Sequence, residues 1–375
     1  MKKKYLPKGF RAGGVSAGIK KSGKPDLAIF YSDCGAKAAC LFTLNKIKAA
    51  PLKLNKAHLK SGRLFRAIIV NSGNANCLTG RAGLKDARTT AVYAAKALRI
   101  SPVSVLVNST GVIGKRLAVD KIKKAVPLLV KKLSESGLGM AQKAILTTDT
   151  FAKSASAKFF IGNKAVSICG VAKGAGMISP DMATMLVFIL TDANITQAAL
   201  NSVLKACVAG TFNCITVDGC MSTNDSVMVL ANGMAENSLI RSGAGLNKFR
   251  SALYSVCLGL ARMVVRDGEG ATKFIEITVD KAVNAKQAKK AALAVANSSL
   301  FKTAMYGENP NFGRIAAAIG ASGVDVNEEG LKIKVSPLAD KEIKVYCSLN
   351  KGRGKATVYT SDLTPEYVKI NAEYN

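Results

Sequence analysis

Residues 173–190 read KGAGMISPDMATMLVFIL, and they join a loop-forming segment to an unbroken apolar run. Two glycines and a proline between residues 174 and 180 predict a non-helical, surface-accessible loop. The apolar run Met185–Leu190 predicts a buried strand that starts at Thr184. The Ala183–Thr184 peptide bond therefore lies where an accessible loop meets a strand.

Thr184 is placed to become a catalytic residue if the chain is cut directly before it. A threonine hydroxyl is a weak nucleophile until a base takes its proton, and a free α-amine on the same residue, with a pKa of about 7.7–8.0, can be that base. Other bases are scarce, because His58 is the single histidine of the chain. Its lysine-rich surroundings predict the solvated face of a helix, which disfavours a Ser/His/Asp or Cys/His arrangement. The junction therefore points to an enzyme.

The composition is that of a globular protein. The chain has 375 residues, 49% of them hydrophobic, which allows a large core and about two or three domains. The apolar run Met185–Leu190 is far shorter than the roughly 20 residues of a membrane helix. The basic first residues lack a following apolar stretch, so we expect no secretory signal and a cytoplasmic location. The cysteines form no Cys-x-x-Cys pair, and we expect reduced, mostly buried thiols.

The net charge of +30 lies almost entirely before the junction. Residues 1–183 contain 33 Lys and Arg against 7 Asp and Glu, whereas residues 184–375 contain 21 against 17. A basic surface can bind nucleic acid through counterion release, so an uncut nucleic-acid-binding protein is one alternative. Only 6% of the residues are aromatic, and tryptophan is absent, which favours a solvated lysine surface without nucleic-acid or membrane partners.

The distribution of apolar residues and breakers predicts a mixed α/β fold in two domains, residues 1–283 and a smaller domain over residues 284–375. The expected strands are Asp26–Tyr31, Phe65–Val70, Val103–Val107, a hairpin over Ser154–Val171, Val227–Leu230, Phe274–Val279, Leu331–Val335 and Glu342–Ser348. The expected helices are Ala82–Leu98, Val119–Leu133, Gln197–Val208, Ala244–Val264 and Ala285–Asn297. A glycine-marked turn is expected over residues 108–114, and a loop over residues 307–312.

Eight motifs follow one another along nearly the whole chain. They are NSGNANCLTG (71–80), NSTGVIG (108–114), AILTTDT (144–150), KGAGMISPDMATML (173–186), FNCITVDGCMSTNDS (212–226), RDGEGAT (266–272), NPNFGR (309–314) and YVKINAEY (367–374). Each motif is weak alone, but together and in this order they resemble the ornithine acetyltransferase family. This family is also called bifunctional glutamate N-acetyltransferase, of the arginine pathway.

The resemblance implies both a fold and a maturation step. Members of the family are made as precursors that cut themselves between Ala and Thr, and the two chains stay assembled, typically as a heterotetramer of two copies of each. In this sequence the implied cut lies between Ala183 and Thr184. The implied fold is a layered α/β/β/α sandwich with a smaller C-terminal α+β domain. No metal or bound cofactor is implied.

The resemblance also implies the residues of the site. The oxyanion donors would be Thr110, through its hydroxyl, and Gly111, through its backbone N–H. The substrate contacts would be Thr147, Lys173, Thr184, Glu269 and Asn371. Lys173 is expected to pair with a substrate carboxylate and Glu269 with its amino end. Without the resemblance, Lys173 would be one of many surface lysines, and Glu269 and Gly111 would be ordinary turn residues.

The implied reaction starts with an N-to-O acyl shift, in which Thr184 Oγ attacks the Ala183 carbonyl and the resulting ester is hydrolysed. The mature threonine would take acetyl from N-acetylornithine and pass it to glutamate, which predicts ping-pong kinetics. Acetyl-CoA as a second acetyl donor is left open. The nearer alternative is an amidase or aminopeptidase on the same self-cut scaffold, with water as the acceptor. The opposite charges of Lys173 and Glu269 favour the transferase.

Three positions depart from the family pattern. Cys220 stands where aspartate is usual and Phe312 where tryptophan is usual, and both are expected to be tolerated packing changes. The sequence ends at Asn375, so it lacks the Ser or Thr that the pattern has five residues after Asn371. One edge of the expected amino-acid pocket is therefore unassigned.

Overall fold

The computed structural model describes residues 6–179 and 185–373. Ala183 and Thr184, the residues of the predicted cut, lie outside the described residues. The chain forms two compact units. The first unit comprises Met1–Gly174, Met182–Ala209 and Ser222–Leu260, and the second comprises Ala175–Asp181, Gly210–Met221 and Ala261–Asn375.

The first unit combines a large sheet with helices. Its strands are β1 (Phe10–Val15), β2 (Leu27–Phe42), β3 (Phe65–Asn74), β4 (Val105–Val112), β5 (Lys153–Ile161), β6 (Lys164–Lys173), β7 (Leu186–Thr191) and β8 (Ser226–Ala231). Its helices are α1 (Ala50–Lys60), α2 (Gly80–Leu98), α3 (Val119–Lys131), α4 (Leu138–Ile145), α5 (Gln197–Gly210) and α6 (Gly243–Arg266), and the last two end inside the second unit. The alternation of strands and helices is that of an α/β fold.

The eight strands form one sheet with two halves, and the long strand β2 takes part in both. The order is β4-β3-β2-β8-β7-β6-β5, and β1 also pairs with β2. Residues 27–31 of β2 pair with β3, whereas residues 37–42 pair with β8, and the register shifts between Tyr31 and Ala36. Such an irregularity bends a strand, so β2 belongs to both halves of the sheet.

The inner faces of the two halves share one apolar core. Phe30 from one half and Phe188 from the other have ring centroids 5.2 Å apart. On the outer side of the first half, the buried alanines of α2 pack with β3 and β4. On the outer side of the second half, Gly170 of β6 lies against Val256 and Leu260 of α6. The predicted α/β/β/α layering is confirmed, with the difference that its two sheets are continuous through β2.

The second unit is the smaller α+β part. Its strands are β9 (Phe274–Ala282), β10 (Lys332–Val335), β11 (Glu342–Ser348) and β12 (Gly354–Ser361), and its helices are α7 (Ala285–Asn297), α8 (Ser299–Tyr306), α9 (Phe312–Gly320) and α10 (Pro365–Glu373). The sheet order β10-β11-β9-β12 makes β9 an inner strand. The predicted boundary between residues 283 and 284 falls just after β9, whereas strand pairing joins β9 to the second unit.

His58 differs from its prediction. It lies on α1 as expected, but its ring is half-buried, and Nδ1 is 2.8 Å from the Val105 carbonyl oxygen. Burial lowers the pKa of His58, so the solvated-face interpretation is wrong. The nine cysteines are free thiols and six of them are buried, as predicted. Within the described ranges, no helix has both the length and the apolar character needed to cross a bilayer.

Candidate active site

Thr110 and Gly111 lie near the end of β4, beside the parallel strand β3. β4 continues to Val112, so the predicted turn over residues 108–114 is wrong in its first part, because pairing with β3 holds these residues in the sheet. Gly111 has a φ of 130°, and a Cβ built on it would lie 2.4 Å from the carbonyl carbon of Gly73. Only glycine permits this approach of two backbones. Thr110 is buried next to it.

Lys173 ends β6 and is only 3% exposed, so it is not a surface lysine. Its Nζ lies 3.4 Å from Thr110 Oγ1 and 4.0 Å from Asp149 Oδ2. In the antiparallel pair of β6 and β7, Lys173 stands opposite Leu186, which follows Thr184 by two residues in the sequence. Lys173 thus lies beside the start of β7 and contacts Thr110 of β4, which belongs to the other half of the sheet.

Asp149 is a buried carboxylate in the same group, and no role was predicted for it from the sequence. Its Oδ1 accepts hydrogen bonds from Lys153 Nζ at 2.6 Å and from the Gly174 amide at 2.7 Å, and its Oδ2 accepts one from the Thr147 amide at 3.0 Å. Burial alone would raise the pKa of Asp149, but the charges of Lys173 and Lys153, with these hydrogen bonds, lower it to about 2. Asp149 is therefore charged, and it connects the Thr147 backbone to Lys173.

Asp225 adjoins the residue that follows Thr184. Its Oδ1 accepts the Met185 amide hydrogen at 2.9 Å, directly before the parallel strands β7 and β8 begin to pair. The side chain is fully buried. Burial raises the pKa of Asp225 well above its usual range, and the Met185 amide, the Lys173 charge and a hydrogen bond from the Ser222 side chain only partly offset this. The carboxyl thus keeps its proton under conditions where an ordinary aspartate has lost it.

Lys20 is a further cation close to Lys173. The Asp26 carboxylate accepts the amides of Ile19 and Lys20 at 2.6 and 2.9 Å and thereby fixes this loop. The stem of Lys20 packs on Gly73, where its Cγ lies 3.0 Å from the position of a Cβ. Burial lowers the pKa of Lys20 to about 8, with Asp26 opposing the shift and Lys173 adding to it. Lys20 therefore loses its charge in mildly alkaline solution.

Glu269 and Asn371 lie together in the second unit. Asn371, on α10, donates from Nδ2 to Glu269 Oε2 at 2.9 Å. The Glu269 amide donates to the Ala175 carbonyl oxygen at 2.9 Å. Gly176 lies so close that a Cβ there would meet Glu269 Oε2 at 2.1 Å. The segment that leads toward the junction is thus fixed against Glu269.

Asp218 holds the same segment by its backbone. It accepts the amides of Met177 at 2.6 Å and Ile178 at 2.9 Å, and Tyr367 of α10 donates its hydroxyl to Oδ2 at 3.4 Å. Burial raises the pKa of Asp218. Cys220, one of the departures from the family pattern, is exposed and donates its amide to Asp218 Oδ1 at 3.0 Å.

The predicted site residues fall into two groups, each within one unit. They are Thr110, Gly111, Thr147 and Lys173 in the first unit, and Glu269 and Asn371 in the second. Over residues 6–179 and 185–373, no three or more His, Cys, Asp or Glu side chains are grouped to hold a metal ion. No role was predicted from the sequence for Asp149 or Asp225. Asp149 lies in the motif AILTTDT and Asp225 in the motif FNCITVDGCMSTNDS, but neither motif indicates that these side chains become buried.

A family model and curated relatives match this chain over nearly its full length. The model of the ArgJ family matches residues 11–375. A curated relative, the arginine biosynthesis bifunctional protein ArgJ of Geobacter sulfurreducens, is 45% identical, with 98% of this chain and 99% of the relative covered. The protein of the same name from Caldanaerobacter subterraneus subsp. tengcongensis is 44% identical, with 98% and 97% covered. Among solved structures, ornithine acetyltransferase complexed with ornithine from Mycobacterium tuberculosis is 38% identical, with a TM-score of 0.43 and coverage of 48% of this chain and 96% of that chain.

Proposed function

Because this chain belongs to the ArgJ family, an acetyltransferase family of arginine biosynthesis, we propose that it moves acetyl from N-acetylornithine to glutamate through an ester on Thr184. The observation that carries the proposal is the Thr110 hydroxyl 3.4 Å from the buried Lys173 ammonium, at the pairing of β6 with β7. A buried ammonium is costly to the fold and is typical of functional sites.

The first stage is self-cleavage between Ala183 and Thr184. Thr184 Oγ attacks the Ala183 carbonyl carbon, the C–N bond breaks, and the acyl group passes from nitrogen to oxygen. Water then hydrolyses the ester and leaves a free α-amine on Thr184. Backbone amides before and after the junction donate hydrogen bonds to aspartates. The Ile178 amide donates to Asp218 and the Met185 amide donates to Asp225. Such fixed flanks reduce the entropy that is lost when the attacking and attacked groups are aligned.

The second stage is acetyl transfer. The α-amine of Thr184 takes the hydroxyl proton, Oγ attacks the acetyl carbonyl of N-acetylornithine, and ornithine leaves with that proton. The amine of glutamate then attacks the acetyl ester and frees Thr184 as N-acetylglutamate forms. The oxyanion of each step would accept from the Thr110 hydroxyl and the Gly111 amide, and one such donor contributes about 2.7–4 kcal/mol. Because Lys173 donates to Thr110 Oγ1, the Thr110 proton is available for the oxyanion.

Substrate recognition would use opposite charges. Lys173 would bind a carboxylate and Glu269 an amino group, while Asn371 orients the Glu269 carboxylate. This pair favours an amino acid over water as the acceptor, and hence a transferase over an amidase. Thr147 would contribute the remaining substrate contact. We propose acetyl-CoA as a second donor, a cytoplasmic location and a tetramer of two copies of each cut chain. The route itself requires no metal or cofactor.

Intact-mass measurement of the purified protein tests this function. Two species are expected, one ending at Ala183 and one beginning at Thr184, whereas Thr184→Ala is expected to stay uncut. N-acetylornithine alone should add one acetyl group to the second species, and glutamate should remove it as N-acetylglutamate. Release of acetate regardless of glutamate would favour the amidase. A single uncut species that is retained on DNA at physiological salt would favour the nucleic-acid-binding alternative.

A further inference from the structure

Lys20 places a half-buried ammonium group beside the strands that carry the proposed oxyanion donors. Its stem packs on Gly73 of β3, where Cγ lies 3.0 Å from the position of a Cβ. Gly73 stands opposite Gly111 in the parallel pair of β3 and β4, and Thr110 precedes Gly111 on the same strand. The Lys20 stem therefore lies one strand away from both oxyanion donors.

The two carboxylates nearest in charge to Lys20 are already held by other donors. The Asp26 carboxylate accepts three backbone amides of the Lys20 loop, at 2.6, 2.6 and 2.9 Å. The Asp149 carboxylate accepts Lys153 Nζ at 2.6 Å and two further amides. Lys20 Nζ donates to the Pro25 carbonyl oxygen at 2.9 Å, which is a neutral acceptor. An ammonium group has three donors, so Lys20 can bind a ligand in addition.

The charge of Lys20 also acts on that of Lys173. Burial lowers the pKa of Lys20 to about 8; Asp26 and Asp149 oppose this shift, and Lys173 and Lys24 add to it. Lys20 is therefore mostly charged at neutral pH, where it repels Lys173. A bound anion would stabilise both ammonium groups, because an opposite charge nearby favours the charged form of each. The two lysines together suit a ligand that has more than one carboxylate.

We propose that Lys20 selects glutamate as the acetyl acceptor by binding its side-chain carboxylate. Glutamate has two carboxylates, whereas N-acetylornithine has one and ends its side chain in an ammonium group. Lys173 would bind the carboxylate that the two substrates share. Lys20 would then supply the positive charge that the second carboxylate of glutamate requires. The inference rests on the proposed function, because it concerns the acceptor of that reaction.

The acetylated enzyme provides the test, because it isolates the acceptor step. Wild type is acetylated with N-acetylornithine, freed of ornithine, and mixed with glutamate or with glutamine, whose side chain has a carboxamide in place of the carboxylate. Intact mass follows the loss of acetyl from the chain that begins at Thr184, and the rate without acceptor is subtracted. The ratio of the two second-order rate constants measures the preference for glutamate. Lys20→Met is expected to reduce this ratio about 10- to 100-fold, because a charge-assisted hydrogen bond is lost.

The ratio separates binding from a general effect on the site, since a disturbed acetyl ester would slow both acceptors alike. Methionine also keeps the stem that packs on Gly73. Lys21→Met is the matched control, because it removes the same charge from the next residue, which is exposed, and it should keep the wild-type ratio. An unchanged ratio in Lys20→Met would overturn the inference, as would an equal fall in Lys21→Met or a wild type without preference for glutamate.

A second variant decides if Lys20→Met does not fold. Lys20→Gln keeps a donor for the Pro25 carbonyl oxygen but has no charge, and it should show the same fall in the ratio. If neither variant folds, Lys20 serves the fold alone and the inference is wrong. The proposed function fails by a different result, the absence of acetylated Thr184 in wild type, so the two failures are distinguishable.

Discussion

At the scale of one residue, the absence of a side chain at Gly111 lets β4 approach the backbone of β3 closely. Its Cβ would lie 2.4 Å from the Gly73 carbonyl carbon and 2.6 Å from the Asn74 nitrogen, so both clashing groups are backbone and cannot rotate away. An added methyl group would separate β4 from β3. It would move the Gly111 amide and the neighbouring Thr110 hydroxyl together.

Gly111→Ala is expected to lower kcat about 10²–10³-fold, the effect of losing one oxyanion donor. It should also lower the free energy of unfolding by more than about 1–3 kcal/mol, which is the cost of left-handed backbone strain alone. The steric clash adds to that cost. Gly114→Ala is the control, because its φ is 84° but no atom lies within 4 Å of its Cβ position. Steady-state kinetics and thermal unfolding check both variants. Equal effects of the two changes would contradict the steric explanation.

Asp149 should make the fold sensitive to acid. Its pKa is about 2 in the folded state and about 3.9 when unfolded. A carboxyl with a depressed pKa stabilises the fold above its unfolded pKa, and this contribution is lost as pH falls from about 4 to 2. The shift corresponds to about 2–3 kcal/mol. Urea unfolding across this range should show a flatter pH dependence for Asp149→Asn, and parallel curves would refute the assignment.

At the scale of an element, α4 connects β1 to the site. Gly14 of β1 lies against this helix so closely that a Cβ would be 2.3 Å from the Met140 carbonyl oxygen. Ser72 donates its hydroxyl to the Ala144 carbonyl oxygen at 2.6 Å, near the end of the same helix. The chain then runs directly to Thr147. A shift of α4 would therefore move one of the predicted substrate contacts.

Gly14→Ala is expected to push α4 away from β1, raise KM and destabilise the fold by about 1–3 kcal/mol, the usual cost of overpacking. The control is Gly139→Ala on α4 itself, where no atom lies within 4 Å of the Cβ position. That change should stabilise the fold by about 0.5–1 kcal/mol, because alanine favours a helix over glycine. Thermal unfolding and KM for N-acetylornithine measure both. If Gly14→Ala has the thermal midpoint and KM of the wild type, the packing of α4 on β1 does not position the site.

Lys302 links α8 to β12 and should give the opposite pH dependence to Asp149. Its Nζ donates to Thr360 Oγ1 at 3.1 Å and to the Ser361 carbonyl oxygen. Burial lowers its pKa to about 8, although Asp362 opposes the shift. The unfolded chain holds this proton up to about pH 10.4, so stability should rise between about pH 8 and 10 by up to about 3 kcal/mol. Lys302→Met should lack this rise in urea unfolding, and an equal rise in both proteins would exclude Lys302 as its source.

At the scale of the whole molecule, the uneven charge should favour anionic substrates. Residues 1–183 hold 33 basic against 7 acidic residues, and salt screens such a field over a Debye length of about 10 Å at 0.1 M. Glutamate is a net anion, whereas N-acetylornithine carries one charge of each sign. Rising ionic strength should therefore raise KM for glutamate several-fold more than KM for N-acetylornithine. Equal salt dependence of the two constants would show that the lysines do not attract substrate.

Sequence periodicity predicted the long helices well and the short helices poorly. The alanine-rich helices α2 and α7 and the β5–β6 hairpin repeat their pattern often enough to be recognised. Helices α4, α8 and α9 have at most nine residues, so their apolar period hardly repeats, and strands β1 and β12 and helix α10 were also missed. The bend of β2 depends on a register shift that leaves no pattern in the sequence.

The site could be predicted only where motifs carried it. Thr110 and Lys173 came from the family resemblance, but the burial of Lys173 did not, because lysine is ordinarily an exposed residue. Asp149 and Asp225 acquire their roles from groups far away in the sequence, such as Lys173 or an amide after the junction. A linear pattern does not contain such partners.

Strands β7 and β8 lie between β2 and β6 in the sheet of the first unit. A cut before Thr184 would put β1–β6 on one polypeptide and β7 and β8 on the other, joined by six residue pairs at each of the two seams. Neither product, synthesised from its own gene, could pair the strand edges at these two seams. Folding of the precursor is unimolecular, but renaturation of the severed halves would be a concentration-dependent search in competition with aggregation. Folding would thus become effectively irreversible after the cut, because an unfolded mature enzyme would refold poorly.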